Sequence, residues 1–282
     1  MSRPNPFLVS TDWLFARLDD PDISIVDASW YLPAMKRDGK AEYDEQHIPG
    51  AVFFDIDAIT DPASSLPHTL ATPERFAAAV GKLGISHEDT IVVYDGAGLF
   101  SAARVWWNFR VMGAAKVVIL DGGLPEWIAN RLPIESGQAP TYPKLFAPSF
   151  DKQRVVSFDE MTGIVAGNSA LVADARPHGR FTGEEPEPRE GMRSGHMPGA
   201  TSIPAGSLVE NGRLLPIEAL ESILKEAGVI QDSDIVTTCG SGVTAATITL
   251  ALESTGVSDS RLYDGSWSEW GGRDDTPVVT GA

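Results

Sequence analysis

Residues 235–246 read Ile-Val-Thr-Thr-Cys-Gly-Ser-Gly-Val-Thr-Ala-Ala, and this stretch combines three structural signals. Its apolar, β-branched start predicts a buried strand, its two glycines predict a tight loop, and its last residues predict the start of a helix. A similar stretch stands in the first half of the chain, where residues 91–96 read Ile-Val-Val-Tyr-Asp-Gly. Asp95 there takes the place of Cys239. The same structural unit is therefore predicted twice.

Three further landmarks recur in both halves, in the same order and at nearly constant spacing. They are an aspartate after an apolar run, a histidine before Pro-Gly and a tryptophan after Asp-Gly, found at Asp27 and Asp174, His47 and His196, and Trp127 and Trp270. Self-similarity at this period predicts two copies of one domain. The length of 282 residues suits two domains, each able to bury its own core.

Each copy alternates short apolar runs with helical patterns. This alternation predicts an α/β fold of two tandem domains, each with a mostly parallel sheet flanked by helices. The predicted elements are strands at 91–94, 117–120, 235–238 and 261–263, and helices at 101–112 and 243–253.

A proline-rich join separates the two copies. Four prolines between positions 133 and 148 predict an extended linker. We therefore predict an N-terminal domain at residues 1–137, a linker at 138–152 and a C-terminal domain at 153–282. The tail from Gly271 is rich in Gly, Asp and Pro, and we expect it to be loosely held.

Charge and apolar run lengths limit the classes of partner. The chain has 22 Lys and Arg against 39 Asp and Glu, a net charge of −17. This charge repels phosphate backbones and anionic lipid, so we predict no nucleic-acid and no membrane partner. No apolar run approaches the roughly 18 residues needed to span a membrane. The first residues do not resemble a signal peptide, so a cytoplasmic location is expected.

Cys239 is the only cysteine, which excludes an intrachain disulfide and a cysteine-rich zinc site. A lone cysteine is most often a small buried hydrophobic residue. This one lies between a predicted strand and a predicted helix, where backbone N–H groups converge and stabilise a thiolate. It also lies at the carboxyl end of a parallel strand, where α/β folds place their sites. We therefore predict a reactive cysteine.

These features resemble the rhodanese superfamily over essentially the whole chain. The loop at 239–244 is similar to that of the 3-mercaptopyruvate sulfurtransferases. Thiosulfate sulfurtransferases typically carry two basic residues directly after the cysteine, whereas this chain has Gly240 and Ser241. The resemblance implies that the C-terminal domain is catalytic. The N-terminal domain, with Asp95 in place of the cysteine, would then be a supporting, non-catalytic rhodanese-like domain.

The resemblance also implies a substrate-binding set. Arg180 and Arg189 stand in a Gly/Pro-rich loop that matches the family pattern, which assigns them to the carboxylate of the donor. A solvated loop balanced by its own glutamates is the alternative reading of these arginines. The remaining predicted contacts come from the cysteine loop, at Gly240, Gly242, Val243 and Thr244.

A proton relay is implied in the same way. Asp57 and His68 match the positions where the family places an aspartate and a histidine, and Ser241 follows Cys239 in the loop. The implied order is Asp57 to His68 to Ser241, which requires the N-terminal domain to lean over the cysteine loop. The alternatives are an exposed histidine in a polar loop and an aspartate that caps a helix.

Three other polar residues are left outside the predicted site. His47 and His196 recur before Pro-Gly in both copies, including the copy without a cysteine, so we interpret them as turn-stabilising residues. Arg104 lies on a predicted helix of the N-terminal domain. It could project into the cleft between the domains, but a surface ion pair explains it equally well.

The resulting hypothesis is sulfur transfer from 3-mercaptopyruvate through a Cys239 persulfide to cyanide, a small thiol or a thioredoxin-like reductant, with release of pyruvate. No metal and no organic cofactor is expected, since the sulfur atom and the loop dipoles carry the chemistry. The alternatives are a thiosulfate:cyanide sulfurtransferase and a non-enzymatic sulfur-carrier module. A cysteine phosphatase or arsenate reductase would need an arginine where the chain has Ala245.

Overall fold

The computed structural model describes residues 3–230 and 233–281. The first domain is a five-stranded parallel sheet in the order β1-β5-β4-β2-β3. Its elements are β1 (Leu8–Val9), α1 (Thr11–Phe15), β2 (Ile23–Asp27), α2 (Gly39–Glu45), β3 (Val52–Phe53), α3 (Pro73–Lys82), β4 (Thr90–Tyr94), α4 (Ala102–Val111), β5 (Lys116–Leu120) and α5 (Gly123–Ala129).

The second domain repeats this architecture, with the order β6-β12-β11-β7-β8. A short antiparallel hairpin, β9-β10, is added to it. The elements are β6 (Val155–Val156), α6 (Phe158–Gly167), β7 (Leu171–Asp174), α7 (His178–Thr182), β8 (Ala200–Ser202), β9 (Val209–Glu210), β10 (Arg213–Leu214), α8 (Ile217–Glu226), β11 (Ile235–Thr238), α9 (Ala245–Ser254), β12 (Arg261–Tyr263) and α10 (Ser266–Trp270). The predicted tandem α/β fold is confirmed.

The strand and helix before and after the cysteine follow the sequence closely. β11 and β12 have the predicted bounds, and all four residues of β11 are buried in the middle of the sheet. The helix begins at Ala245, later than the predicted Val243. Val243 and Thr244 instead complete the loop, which passes through Gly242 at a φ of 78°. That left-handed angle is readily adopted by glycine and delays the start of the helix.

Two helices join the domains. α4 of the first domain packs against α9 of the second, and every residue of α9 is buried. One apolar cluster continues through this contact, from Trp107 and Phe109 in the first domain to Ile248 and Leu252 in the second. Because α4 and α9 each follow the cysteine-equivalent loop of their own domain, their packing brings the two loops to the same junction.

The linker and the tail both pack on the domains. Residues 132–151 contain no helix or strand, but Phe146 is buried against the first core and the amide of Ser149 donates to Met112 at 2.9 Å. The domain boundaries themselves remain a prediction. The expectation of a loosely held tail is wrong. Val279 exchanges backbone hydrogen bonds with His196, and the indole of Trp270 donates to the carbonyl of Pro277 at 2.9 Å.

Candidate active site

Cys239 lies at the carboxyl end of β11 and is 2% exposed. Its amide donates to the hydroxyl of Ser266 at 3.3 Å, and its carbonyl accepts from the amide of Trp267 at 2.9 Å. These bonds anchor the residue to the first turn of α10. The residues after Cys239 form a loop that leads into α9, and the backbone amides of such a strand–loop–helix turn converge on its centre.

The equivalent loop of the first domain binds a carboxylate. Asp95 is fully buried at the position equivalent to Cys239. Its carboxylate accepts four backbone amides, from Ala97 at 2.9 Å, Phe100 at 2.7 Å, Ser101 at 2.8 Å and Ala102 at 2.8 Å. In the second domain, the amides at 240–246 find no acceptor within the described residues. The loop therefore offers converging N–H donors to an anion on Cys239.

The three residues of the predicted relay lie in line. The Oγ of Ser241 is 2.9 Å from His68 Nδ1, and His68 Nε2 is 2.9 Å from Asp57 Oδ1. Since a carboxylate accepts, Nε2 carries the proton in neutral His68 and Nδ1 accepts from the serine hydroxyl. The first domain thus leans over the cysteine loop, as the relay requires.

Trp30 completes this arrangement. Its indole N–H donates to Asp57 Oδ2 at 3.0 Å, and its ring meets the imidazole of His68 edge-on at 4.6 Å. The hydrogen bond from His68 is the main cause that lowers the pKa of Asp57, and burial opposes it only in part. Asp57 therefore stays ionised and holds the imidazole through Nε2.

Arg104 is not a surface residue, so the surface ion pair considered for it is wrong. Its side chain is fully buried. Its guanidinium donates to the carbonyl of His68 at 2.9 Å, to Asp264 Oδ1 at 2.6 Å and to the carbonyl of Gly242 at 3.2 Å. It therefore ties the His68 turn to the cysteine loop.

Arg180 and Arg189 both border the cysteine loop. A β-carbon placed on Gly240 would lie 3.2 Å from Arg180 Nη2 and 3.9 Å from Arg189 Nη1. The Arg180 side chain is only 15% exposed, and it pairs with the buried carboxylate of Glu187. Glu187 also accepts from Arg176 at 2.7 Å. A solvated loop does not describe this cluster, which holds two guanidinium groups beside the reactive position.

One cavity of about 1020 Å³ contains these groups. The predicted site residues that line it are Cys239, Gly240, Ser241, Val243, Thr244, Arg180, Arg189, His68 and Asp57. Gly242, also predicted to contact the substrate, is not among the lining residues, and its carbonyl accepts from Arg104. Among the described residues, no group of three or more acidic, histidine or cysteine side chains is placed to hold a metal ion.

The two Pro-Gly histidines lie outside this cavity. His47 Nδ1 donates to the carbonyl of Tyr43 at 2.8 Å, and His196 Nδ1 donates to the carbonyl of Phe181 at 2.8 Å. Each ring also stacks on the aromatic ring of the residue whose carbonyl it bonds. Both histidines therefore stabilise the backbone in their own domain, as expected.

Sequence reasoning missed Trp30, Glu187 and Asp264, and it considered Arg104 but left it outside the predicted site. A signal was present for Asp264, which begins the Asp-Gly landmark of the second copy. For Trp30 and Glu187 no local pattern distinguishes them from other loop residues.

Comparison with known proteins places the chain in a family. The rhodanese-like domain model matches residues 10–130 and again residues 157–273. A 3-mercaptopyruvate sulfurtransferase of Escherichia coli (strain K12) is 44% identical over 273 residues, which cover 96% of this chain and 97% of the relative. The mitochondrial thiosulfate/3-mercaptopyruvate sulfurtransferase 1 of Arabidopsis thaliana is 42% identical, over 96% of this chain and 77% of the relative.

A solved structure agrees with these relatives. The crystal structure of SseA from Escherichia coli, which has the rhodanese fold, matches with a TM-score of 0.84 at 42% identity and covers 93% of this chain and 99% of that chain. The match extends through both domains, and the identity is far above the level at which only the fold is shared. The chain therefore belongs to the 3-mercaptopyruvate sulfurtransferase family of tandem rhodanese-like proteins.

Proposed function

We propose that the protein transfers sulfur from 3-mercaptopyruvate to a thiophilic acceptor through a persulfide on Cys239. The observation that carries this proposal is the placement of three functions around one loop. Cys239 lines the cavity at the start of a loop whose amides have no acceptor among the described residues. Arg180 and Arg189 border Gly240, and Ser241 bonds the imidazole of His68. A carboxylate clamp, a nucleophile and a proton relay are what this donor needs.

In the first step the Cys239 thiolate attacks the sulfur of the donor. An S–S bond forms and the C–S bond breaks, so the bonding pair passes to the methylene carbon as the enolate of pyruvate. The proton of the donor thiol moves through Ser241 and His68 to that carbon, which becomes the methyl group of pyruvate. Asp57 holds the imidazole during this transfer. The loop amides stabilise the negative charge on the outer sulfur of the persulfide.

In the second step an acceptor takes the outer sulfur. Cyanide, a small thiol or a thioredoxin-like reductant attacks it, the S–S bond breaks and its electron pair returns to Cys239 as the thiolate. The cavity of about 1020 Å³ is several times larger than a donor of seven non-hydrogen atoms needs, which leaves room for an acceptor. No step calls for a metal or an organic cofactor.

The site suits a monocarboxylate better than thiosulfate, because the residues directly after Cys239 are uncharged. Thiosulfate is nevertheless the second candidate donor, since an Arabidopsis relative is named for both donors. A non-enzymatic carrier remains the third candidate, and turnover with a small donor separates it from the first two.

We also propose a cytoplasmic location, as the sequence predicts. No helix within the described ranges, 3–230 and 233–281, is long and apolar enough to cross a membrane. Fractionation of the native cells tests this proposal.

The proposed function is tested by thiocyanate formation from cyanide with each donor. We expect a strong preference for 3-mercaptopyruvate, and a fall in kcat/KM of about 100-fold in Arg180→Ala, which loses a charged hydrogen bond to the carboxylate. Arg273→Ala is the matched control, because it removes an exposed ion pair with Asp275 in the same domain. A preference for thiosulfate would reject the assigned donor.

Cys239 is tested separately by mass spectrometry. The wild-type protein treated with the donor should gain the mass of one sulfur atom, and Cys239→Ser should gain none and show no turnover. Turnover by Cys239→Ser would reject the persulfide.

A further inference from the structure

The turn that carries His68 adopts a disfavoured backbone conformation. His68 has a φ of 60°, in the left-handed region that residues with a β-carbon rarely occupy. Such a conformation persists only where surrounding bonds over-determine it. At this turn, Arg104 donates to the carbonyl of His68 at 2.9 Å, and Asp264 Oδ2 accepts the amide of Leu70 at 2.7 Å. The turn is therefore held at the carbonyl of His68 and at the amide of Leu70.

Arg104 and Asp264 are also bonded to each other. Arg104 donates to Asp264 Oδ1 at 2.6 Å, and its third bond reaches the carbonyl of Gly242 at 3.2 Å. Arg104 comes from the first domain, whereas Asp264 and Gly242 belong to the second. One buried ion pair thus fixes the His68 turn relative to the cysteine loop.

The alignment of the relay depends on that turn. The imidazole of His68 has to meet Asp57 and Ser241 at the same time, each at 2.9 Å. Asp57 belongs to the first domain and Ser241 to the second. A change in the backbone angles of His68 would rotate the ring away from at least one of them.

We propose that Arg104, acting with Asp264, is a positioning residue that keeps His68 in line with Ser241. This inference rests on the proposed function. Arg104 does not line the cavity, so it acts through His68 and not on the donor. The carboxylate clamp at Arg180 and Arg189 is separate from it.

Arg104→Met tests this role, because it removes the guanidinium donors and keeps an apolar stem of similar length. With 3-mercaptopyruvate we expect kcat to fall about 100-fold, the usual consequence of a misplaced catalytic group, and KM to change less than about twofold. Thiosulfate has no carbon to protonate, so any transfer from it should change less than about threefold. A general structural defect would lower both activities and raise KM.

A double-mutant cycle isolates the path through His68. If Arg104 acts through this residue, adding Arg104→Met to His68→Ala should change kcat by less than about threefold. A further loss near 100-fold in that background would overturn the proposal. Arg110→Met is the matched control, since it lies on the same helix and also breaks an ion pair between the domains, with Glu253. It should keep kcat within about twofold.

Asp264→Asn supplies a second variant if Arg104→Met fails to fold. It preserves the shape of the side chain, but its NH2 group replaces one of the two accepting oxygens. That group then faces another donor, either the guanidinium of Arg104 or the backbone N–H of Leu70. The same selective fall in kcat is expected, and an unchanged kcat would overturn the proposal. Wild-type protein that fails to use 3-mercaptopyruvate would refute the proposed function itself. Active wild-type protein without coupling between Arg104 and His68 would refute only the positioning role.

Discussion

Substitution of Asp95 measures how much a buried anion stabilises the loop that is equivalent, in the first domain, to the loop of Cys239. Asp95 occupies the position of Cys239 in the first domain, is fully buried, and accepts four backbone amides. Asp95→Ala removes the acceptor of all four. The four amides then face a small cavity, and the alanine side chain offers them no acceptor.

The magnitude follows from opposing contributions. A hydrogen bond to a charged group is worth about 1.5–3 kcal/mol, so four bonds contribute roughly 6–12 kcal/mol before any cost is subtracted. Burying the carboxylate costs several kcal/mol, which the alanine variant recovers. We therefore expect Asp95→Ala to lower the free energy of unfolding by about 4 kcal/mol. Asp95→Asn should lose about half as much, because its amide oxygen can keep some of the N–H bonds.

Urea unfolding followed by far-ultraviolet circular dichroism measures the effect. Cys239→Ala is the matched control, since it truncates the side chain at the equivalent position of the second domain. It removes one sulfur atom to which none of the described loop amides donates, so we expect a loss of about 1 kcal/mol. Equal losses in Asp95→Ala and Cys239→Ala would refute the idea that the loop is built around an anion.

Two further predictions concern buried carboxylates. Glu187→Gln removes a negative charge that pairs with Arg176 and Arg180, so the site beside Gly240 becomes more positive. The ratio of kcat/KM for thiosulfate, a dianion, to that for 3-mercaptopyruvate should rise about tenfold, and an unchanged ratio would contradict this reasoning. Burial raises the pKa of Asp27 to about 6. Because this pKa is higher in the folded than in the unfolded protein, the native state binds the extra proton and loses stability as the pH rises through about 6. Asp27→Asn should therefore stabilise the protein by up to about 3 kcal/mol at pH 7.5 and much less at pH 4, measured by urea unfolding at both values. An equal effect at both pH values would contradict the assignment.

Much of the architecture was predictable because its signals are local. The apolar runs that become β4 and β11 are buried on both faces of a sheet, and such strands read as continuous hydrophobic stretches. The helix start after Cys239 was less predictable. Gly242 adopts a left-handed angle, and that conformation keeps Val243 in the loop even though its sequence is compatible with a helix.

Part of the candidate site was likewise predictable from the sequence, and part was not. The position of Cys239 between a strand and a helix was predictable, because both elements have local sequence signals. The contacts of Arg104 were not predictable, because an isolated arginine on a helix has the same sequence signature on a surface or in an interface. Its acceptors, at His68, Gly242 and Asp264, come from three segments far apart in the chain.

The sequence by itself determined the two repeated domains, the cysteine loop at the end of β11 and the family to which the motifs point, since each depends on residues that are near neighbours in the chain. Only the tertiary structure decided that His68 meets Ser241, that Arg104 is buried between the domains, and that the tail is tied down at Val279. The physical reason is that these contacts depend on how α4 packs against α9. That packing is set by the shapes of two buried surfaces and leaves no periodic pattern in the sequence.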